Sequence, residues 1–322
     1  MRGSPVYQVH QIFSESGISR IGESKHAAKA AARENIAAGT GNNSRSATWH
    51  EIGQRIGVFS HATADTYKNV WRYALEFAKE NFQIRDIEKI TGDVIAAYLQ
   101  SKIEENVKYA TFQKYAAALE KLNLSLNKYS ANLSKGRSYD FSAAIKDIRI
   151  TAQKNLEHFS GSRSYVNPEK IIALLKNDYK LAANLQLKAG LRIAEVSYIQ
   201  QKQIQIENKI IIKGKGGKIR TIDVPKELYA TLKNRINNDP HKSFFLNANK
   251  YRYRLEKAVT ANREIYKGKS THGLRWNYSQ EKILLESNKH SYTKAMEVTS
   301  HQMGHNRIAS FCTRKNIFGY GA

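Results

Sequence analysis

The sequence predicts a mainly α-helical protein of two domains, an all-α one followed by a mixed α/β one with a small β-hairpin. Three observations carry that prediction. The 322 residues, 41% hydrophobic and 10% aromatic, suffice for two separate cores. Apolar residues recur at helical spacing through most of the chain. Only two adjacent runs, Gln205–Lys213 and Lys218–Val224, are rich in β-branched residues, and they flank the glycine-rich turn Gly214-Lys215-Gly216-Gly217.

Taken in order, residues 1–46 read as a basic N-terminal arm. It contains an Ala-rich helical stretch from His26 to Ile36, broken at Gly39-Thr40-Gly41-Asn42-Asn43. Residues 47–131 read as a helical domain. Thr63-Ala64-Asp65-Thr66 opens one helix, whose Val70, Trp71, Ala74, Leu75, Phe77 and Ala78 share an apolar face. Thr91 caps a second helix with Ile95, Tyr98 and Leu99, and a third begins near Thr111 with Tyr115, Leu119 and Leu122. Periodicity weakens over residues 132–164, and Ser160-Gly161-Ser162-Arg163-Ser164 marks the expected linker. The second domain, residues 165–322, starts with Pro168 at a helix first turn. A helix from Tyr179 ends at Gly190, the hairpin follows, and Pro225 closes its second strand. Helices then resume over Leu228–Ile236, Tyr251–Ala261, His272–Leu285 and Tyr292–Gln302.

Lys and Arg number 52 against 28 Asp and Glu, a formal charge of +24. Such an excess points to a polyanion as partner. Basic amphipathic or lipidation signals for a membrane surface are not evident, and no apolar run approaches the roughly 20 residues that span a bilayer. The single cysteine, Cys312, rules out an intramolecular disulfide and a cysteine-based metal centre, as suits a reducing cytoplasm.

The chemistry-bearing residues are arginines, histidines and a lysine. In Thr271-His272-Gly273-Leu274-Arg275 an imidazole and a guanidinium stand three positions apart at a helix start, a spacing that aims both at one point. Arg192 precedes them in Ala189-Gly190-Leu191-Arg192, Lys215 lies in the hairpin turn, and His305 follows Gly304. A phosphodiester is an anion whose transition state gathers more charge on its oxygens, and arginine meets it with a permanently charged planar fork. Arg192 and Arg275 are the expected clamp. His272 and His305 can donate hydrogen bonds or move a proton, and Lys215 can protonate a departing alkoxide. Each residue taken alone has a plainer role. Arg192 can pair with Glu195, His272 can be structural, and Lys215 and Lys218 can form a solvated turn.

The order of these motifs resembles the tyrosine recombinases, the phage integrase family. Ala189-Gly190-Leu191-Arg192-Ile193-Ala194-Glu195 is similar to its first-arginine box. Gly214-Lys215-Gly216-Gly217-Lys218-Ile219-Arg220 with Val224-Pro225 is similar to its hairpin-lysine motif. Thr271 to Arg275 and Ser300-His301-Gln302-Met303-Gly304-His305 are similar to its two histidine boxes. The likeness is strong over about residues 165–312, while Ala47–Ser130 resembles the core-binding domain in pattern only. It implies a two-domain DNA clamp and strand cleavage through a tyrosine, giving a 3′-phosphotyrosine and a free 5′-hydroxyl. It implies no metal, no other cofactor, a homotetramer on double-stranded DNA, and accessory DNA-bending or directionality proteins. The catalytic set it implies is Arg192, Lys215, His272, Arg275, His305 and a tyrosine nucleophile.

That tyrosine usually lies about nine residues beyond the final histidine. Arg314 stands there, and Tyr320, fifteen positions on (320 − 305), is the sole tyrosine after His305. Three readings follow: Tyr320 attacks from the tail, the usual tail has been replaced and the chain binds DNA without cutting it, or an earlier tyrosine such as Tyr292 serves. Cys312 is discounted as a substitute. The functions expected are therefore site-specific recombination or integration for a mobile element, catalytically inactive DNA binding, and relaxation of the type IB topoisomerase kind.

Overall fold

The computed structural model describes residues 1–40, 47–159, 161–214 and 219–304. It divides into two compact units, Met1–Phe159 and Ser160–Ala322, each with its own hydrophobic core.

The first unit is helical. Ser4 caps α1 (Pro5–Glu15), with Pro at the first turn, and α1 buries Val9, Ile12 and Phe13 in the unit's core. The expected arm is thus built into this unit at its start, because an amphipathic helix with three large apolar residues gains more by packing than by staying loose. The Ala-rich stretch forms α2 (Lys25–Thr40). It packs with α3 (Trp49–Arg55) around Ala32, Ile36, Ile52 and Ile56, a small separate cluster. Then come α4 (His61–Phe82), α5 (Gly92–Glu104) and α6 (Tyr109–Asn132), with Ser60 and Thr91 capping the first two. Trp71, fully buried on α4, donates its indole N–H to the Ala118 carbonyl of α6 at 2.7 Å. Lys121 of α6 reaches the end of α3, donating to the carbonyls of Gly53 and of Ile56, the latter at 2.6 Å. Residues 142–155, expected within the linker, form α7 (Ser142–Asn155), which buries Ile145 and Ala152 and packs on α5 and α6.

The second unit begins with a strap fastened to its later part. Tyr165 exchanges backbone hydrogen bonds with the Asn277 side chain, its N–H to Oδ1 at 3.0 Å and Nδ2 to its carbonyl at 2.7 Å. The Tyr165 hydroxyl donates to the Ser270 carbonyl at 2.7 Å. Next come α8 (Pro168–Ala173), α9 (Asn177–Ala189) and the single-turn α10 (Ile193–Val196). Strand β1 (Tyr198–Gln200) precedes the hairpin of β2 (Lys209–Lys213) and β3 (Ile219–Asp223), which are antiparallel with Ile212 opposite Arg220. The first hairpin strand is shorter than the sequence suggested, because Glu207 and Asn208 both adopt left-handed φ of 58° and interrupt it. Helix α11 (Lys226–Asn237) leads to β4 (Ser243–Phe245), which pairs with β1. These two strands lie outside the sequence expectation. Helices α12 (Ala248–Ala261), α13 (His272–Ser287) and α14 (Tyr292–Gln302) complete the unit. No described helix is long and apolar enough to cross a membrane.

Candidate active site

The site is organised around a carboxylate. Glu195 lies on α10, three residues after Arg192, and its side chain is only 4% exposed. It accepts from the Arg192 backbone N–H at 2.7 Å and from Arg192 Nη1 at 2.8 Å, so one carboxylate closes the start of the turn. It also takes both arms of the Arg220 fork, Nη1 at 2.9 Å and Nη2 at 2.7 Å. Arg275 Nη1 stands 3.8 Å from its second oxygen. Burial would raise the Glu195 pKa, but the hydrogen bonds and charges of Arg220 and Arg192 outweigh it and hold the acid down at about 2. Three guanidinium groups and one carboxylate leave a net charge of 3 − 1 = +2 in a largely buried setting.

Arg275 is the most tightly seated. On the first turn of α13 it donates to the carbonyls of Gly190 and Met303, which end α9 and follow α14. It thereby ties three helix termini to one point. Burial and the neighbouring Arg192 charge lower its pKa to about 9, against the opposing pull of Glu195, so it remains a cation at neutral pH. His272, one turn before it, has an exposed side chain. The protein mass around the ring, then the charges of Arg275 and Arg192, lower its pKa from 6.5. Area and crowding differ here, since the ring has solvent access yet stands in a crowded and strongly cationic place. The guanidinium charges of Arg275 and Arg192 disfavour a further positive charge on the ring.

Glycines let the chain approach this cluster. Gly190 ends α9 with φ +64°, and a Cβ there would meet the Tyr278 ring at 2.5 Å. A Cβ on Gly214 would fall 2.9 Å from Arg220 Nη1 and 3.1 Å from Glu195 Oε1. One on Gly304, whose φ is +72°, would fall 3.0 Å from Arg220 Nη1 and 3.3 Å from Arg192 Nη1. Both positions therefore press backbone against the guanidinium groups.

Of the residues singled out in the sequence, the structure brings Arg192, His272 and Arg275 to one site. Lys215, His305 and Tyr320 lie outside the described residues, as does Cys312. Gly214 and Gly304, the residues just before Lys215 and His305, both touch the arginine cluster. Tyr292 opens α14, partly exposed. The Arg192–Glu195 ion pair weighed as that arginine's plainer role is present, as part of the larger cluster. Sequence reasoning missed Arg220 as a member and the central place of Glu195. The available signal was a charged residue two positions before Ile222 on the strand face that points inward. Among the described residues there is no grouping of three or more His, Cys, Asp or Glu side chains that could hold a metal.

Comparison with known proteins agrees on the family and the fold. Residues 166–309 match the phage integrase family. No curated protein sequence matches the chain. Among solved structures, the chain is similar to XerH site-specific recombinase bound to its palindromic difH substrate, with TM-score 0.58 and 16% identity over 95% of this chain and 89% of that one. It is similar also to the Tn1549 transposon integrase in complex with transposon right end DNA, with TM-score 0.57 and 13% identity over 91% of this chain and 95% of that one. A lambda integrase dimer bound to a COC′ core site gives TM-score 0.51 and 14% identity over 90% and 98%. At these identities the likeness is one of fold.

Proposed function

Because residues 166–309 of this chain belong to the phage integrase family, we propose that it performs site-specific recombination on double-stranded DNA by metal-independent transesterification. One observation supports this most: guanidinium groups from three separate segments, Arg192, Arg220 and Arg275, surround a single carboxylate and leave uncompensated positive charge beside His272. That is the electrostatics a phosphodiester needs.

In this reading Arg192, which is 20% exposed and bound to Glu195 through Nη1, offers its remaining donors to the non-bridging oxygens. Arg275 fixes the cluster and adds charge. The Tyr320 hydroxyl oxygen attacks phosphorus, the new O–P bond forms as the bond from phosphorus to the 5′-oxygen breaks, and the product is a 3′-phosphotyrosine. His272, held neutral by its surroundings, takes the phenolic proton, and Lys215 gives one to the leaving 5′-oxygen. His305 donates a hydrogen bond to the phosphate. Attack by another strand's 5′-hydroxyl reverses these steps, and the phosphotyrosine retains the bond energy for it. The protein would act as a homotetramer on DNA, with accessory bending or directionality proteins, inside the cytoplasm.

The net charge of +24 supports the DNA partner independently of the site. A second reading is supported by Arg314 standing where the nucleophile is expected: a recombinase-like protein that occupies its sites without cutting. Incubation with a nicked duplex carrying the protein's own attachment sequence separates the two. The recombinase reading expects a covalent protein–DNA adduct that disappears in Tyr320→Phe. No adduct with this chain, but one when a tail with the usual tyrosine spacing is supplied, establishes the binding-only reading. Adduct formation and relaxation on any duplex by the protein acting alone would favour topoisomerase-type action.

A further inference from the structure

Three arginines around one carboxylate pose a question of allocation, because a guanidinium spent on Glu195 is lost to a phosphate. The exposures divide the three. The Arg192 side chain is 20% exposed, Arg220 6% and Arg275 4%. Only Arg192 is open enough to meet a ligand directly. Among the described residues it engages Glu195 through a single arm, Nη1, while its Nη2 has one long contact to the Gly304 carbonyl at 3.5 Å. Arg220 does the opposite, placing both terminal nitrogens on the two carboxylate oxygens in a paired fork. Its Nε is buried and has no hydrogen-bond partner among the described residues, so the group is held at a desolvation cost without being fully satisfied.

The location of Arg220 is equally unusual. It lies on β3 in a strand that alternates exposed and buried residues, on the same face as buried Ile222. An arginine on the core face of a hairpin requires an acidic partner, and Glu195 on α10 is that partner. Gly214, at the start of the hairpin turn, lies so close to both groups that a Cβ there would crowd them.

We infer that Arg220 is a positioning residue of the phosphate site, occupying the Glu195 carboxylate from the hairpin side so that the Arg192 guanidinium is released to bind phosphate. The inference rests on the recombinase reading above and deepens it. Without Arg220, the buried carboxylate has Arg192 as its nearest cation and draws both of that fork's arms inward. The charge count makes the idea separable from simple damage. Arg220→Ala leaves 2 − 1 = +1, whereas Arg220→Ala with Glu195→Gln restores +2, the value of the unaltered site.

The test compares unaltered protein, Arg220→Lys, Arg220→Ala and the Arg220→Ala/Glu195→Gln pair. It measures the single-turnover rate of adduct formation on the nicked duplex, together with duplex affinity and thermal melting. Arg220→Ala should slow the step by more than about tenfold at unchanged duplex affinity, with Arg220→Lys in between. The double variant should regain most of the rate, which a purely structural arginine would not allow. A rate for Arg220→Ala within about twofold of the unaltered protein, or a double variant no faster than the single one, overturns the inference. If Arg220→Ala melts too low to assay, Arg220→Lys with and without Glu195→Gln decides by the same criterion.

Should the unaltered protein form no adduct, it is the cleavage reading that fails, and inorganic phosphate then serves as the probe. The inference expects phosphate to raise the melting temperature of the unaltered protein and of the double variant but not of Arg220→Ala. An equal rise in all three, or none in the unaltered protein, overturns it.

Discussion

At the scale of single residues, the site works by opposing burial with charge. Glu195 stays ionised because arginine hydrogen bonds exceed the cost of its desolvation, and it keeps three like charges within one small volume. His272 experiences the other side of that arrangement. Crowding and the charges of Arg275 and Arg192 depress its pKa below 6.5, so the neutral ring is the form present at neutral pH. A group with a folded pKa below its unfolded value binds fewer protons when folded. Its contribution to stability is therefore intact above pH 6.5 and lost as pH falls from there through the lower folded pKa. An anion seated among the arginines would cancel part of the repulsion. The expected outcome is a His272 ring resonance that titrates below 6.5 in the free protein and moves upward when inorganic phosphate is added, followed by NMR. Titration above 6.5 in the free protein would contradict the arrangement described.

At the scale of elements, the helix that carries His272 and Arg275 shows why a glycine stands between them. A Cβ on Gly273 would lie 2.4 Å from the Tyr165 ring, which packs across the start of α13 while its hydroxyl is bound to Ser270. Gly273→Ala should destabilise the second unit by about 1–3 kcal/mol, the usual cost of overpacking, measured by urea unfolding. Adding Tyr165→Leu should recover part of that loss relative to Tyr165→Leu alone, since the obstruction is the ring itself. The His-x-x-Arg pair was legible in sequence because its geometry is local, set by one helical turn. The same holds for the capping residue Thr91 and for the hairpin, whose β-branched runs differ from everything around them, whereas the helix expected to open at Thr63–Thr66 starts at His61 under a Ser60 cap. Arg220 was not legible as a site residue, because its role depends on a carboxylate 25 positions earlier that only tertiary folding brings near. Strands β1 and β4 escaped notice for a related reason, being three residues each and paired across the intervening hairpin and α11. Helix α1 reads as part of an arm in sequence, since its apolar face is short and its value appears only against Trp71, whose ring centroid lies 6.0 Å from that of Phe13.

At the scale of the whole molecule, the two units share no core residue. Trp71, Tyr98, Phe112 and Leu122 belong to one cluster, while Leu185, Ile210, Phe244 and Tyr251 belong to the other. A core complete within one unit is the physical requirement for independent folding. Residues 1–159 prepared alone should accordingly unfold in a single cooperative transition with helical circular dichroism, and a featureless melt would refute the division at Phe159. The consequence for DNA is one of effective concentration. If both units contact the duplex, the linkage makes the second contact intramolecular, so overall affinity exceeds that of either unit by about 10²–10⁴. Cleaving the chain between Phe159 and Ser160 should leave both parts folded yet lower duplex affinity by a factor in that range, measured with an equimolar mixture of the parts against the intact chain. The loss should persist at several salt concentrations, because severing the chain removes no lysine or arginine and so leaves the count of contacted phosphates, and the salt slope summed over the parts, unchanged. Equal affinity of the mixture and the intact chain would mean that one unit alone holds the DNA.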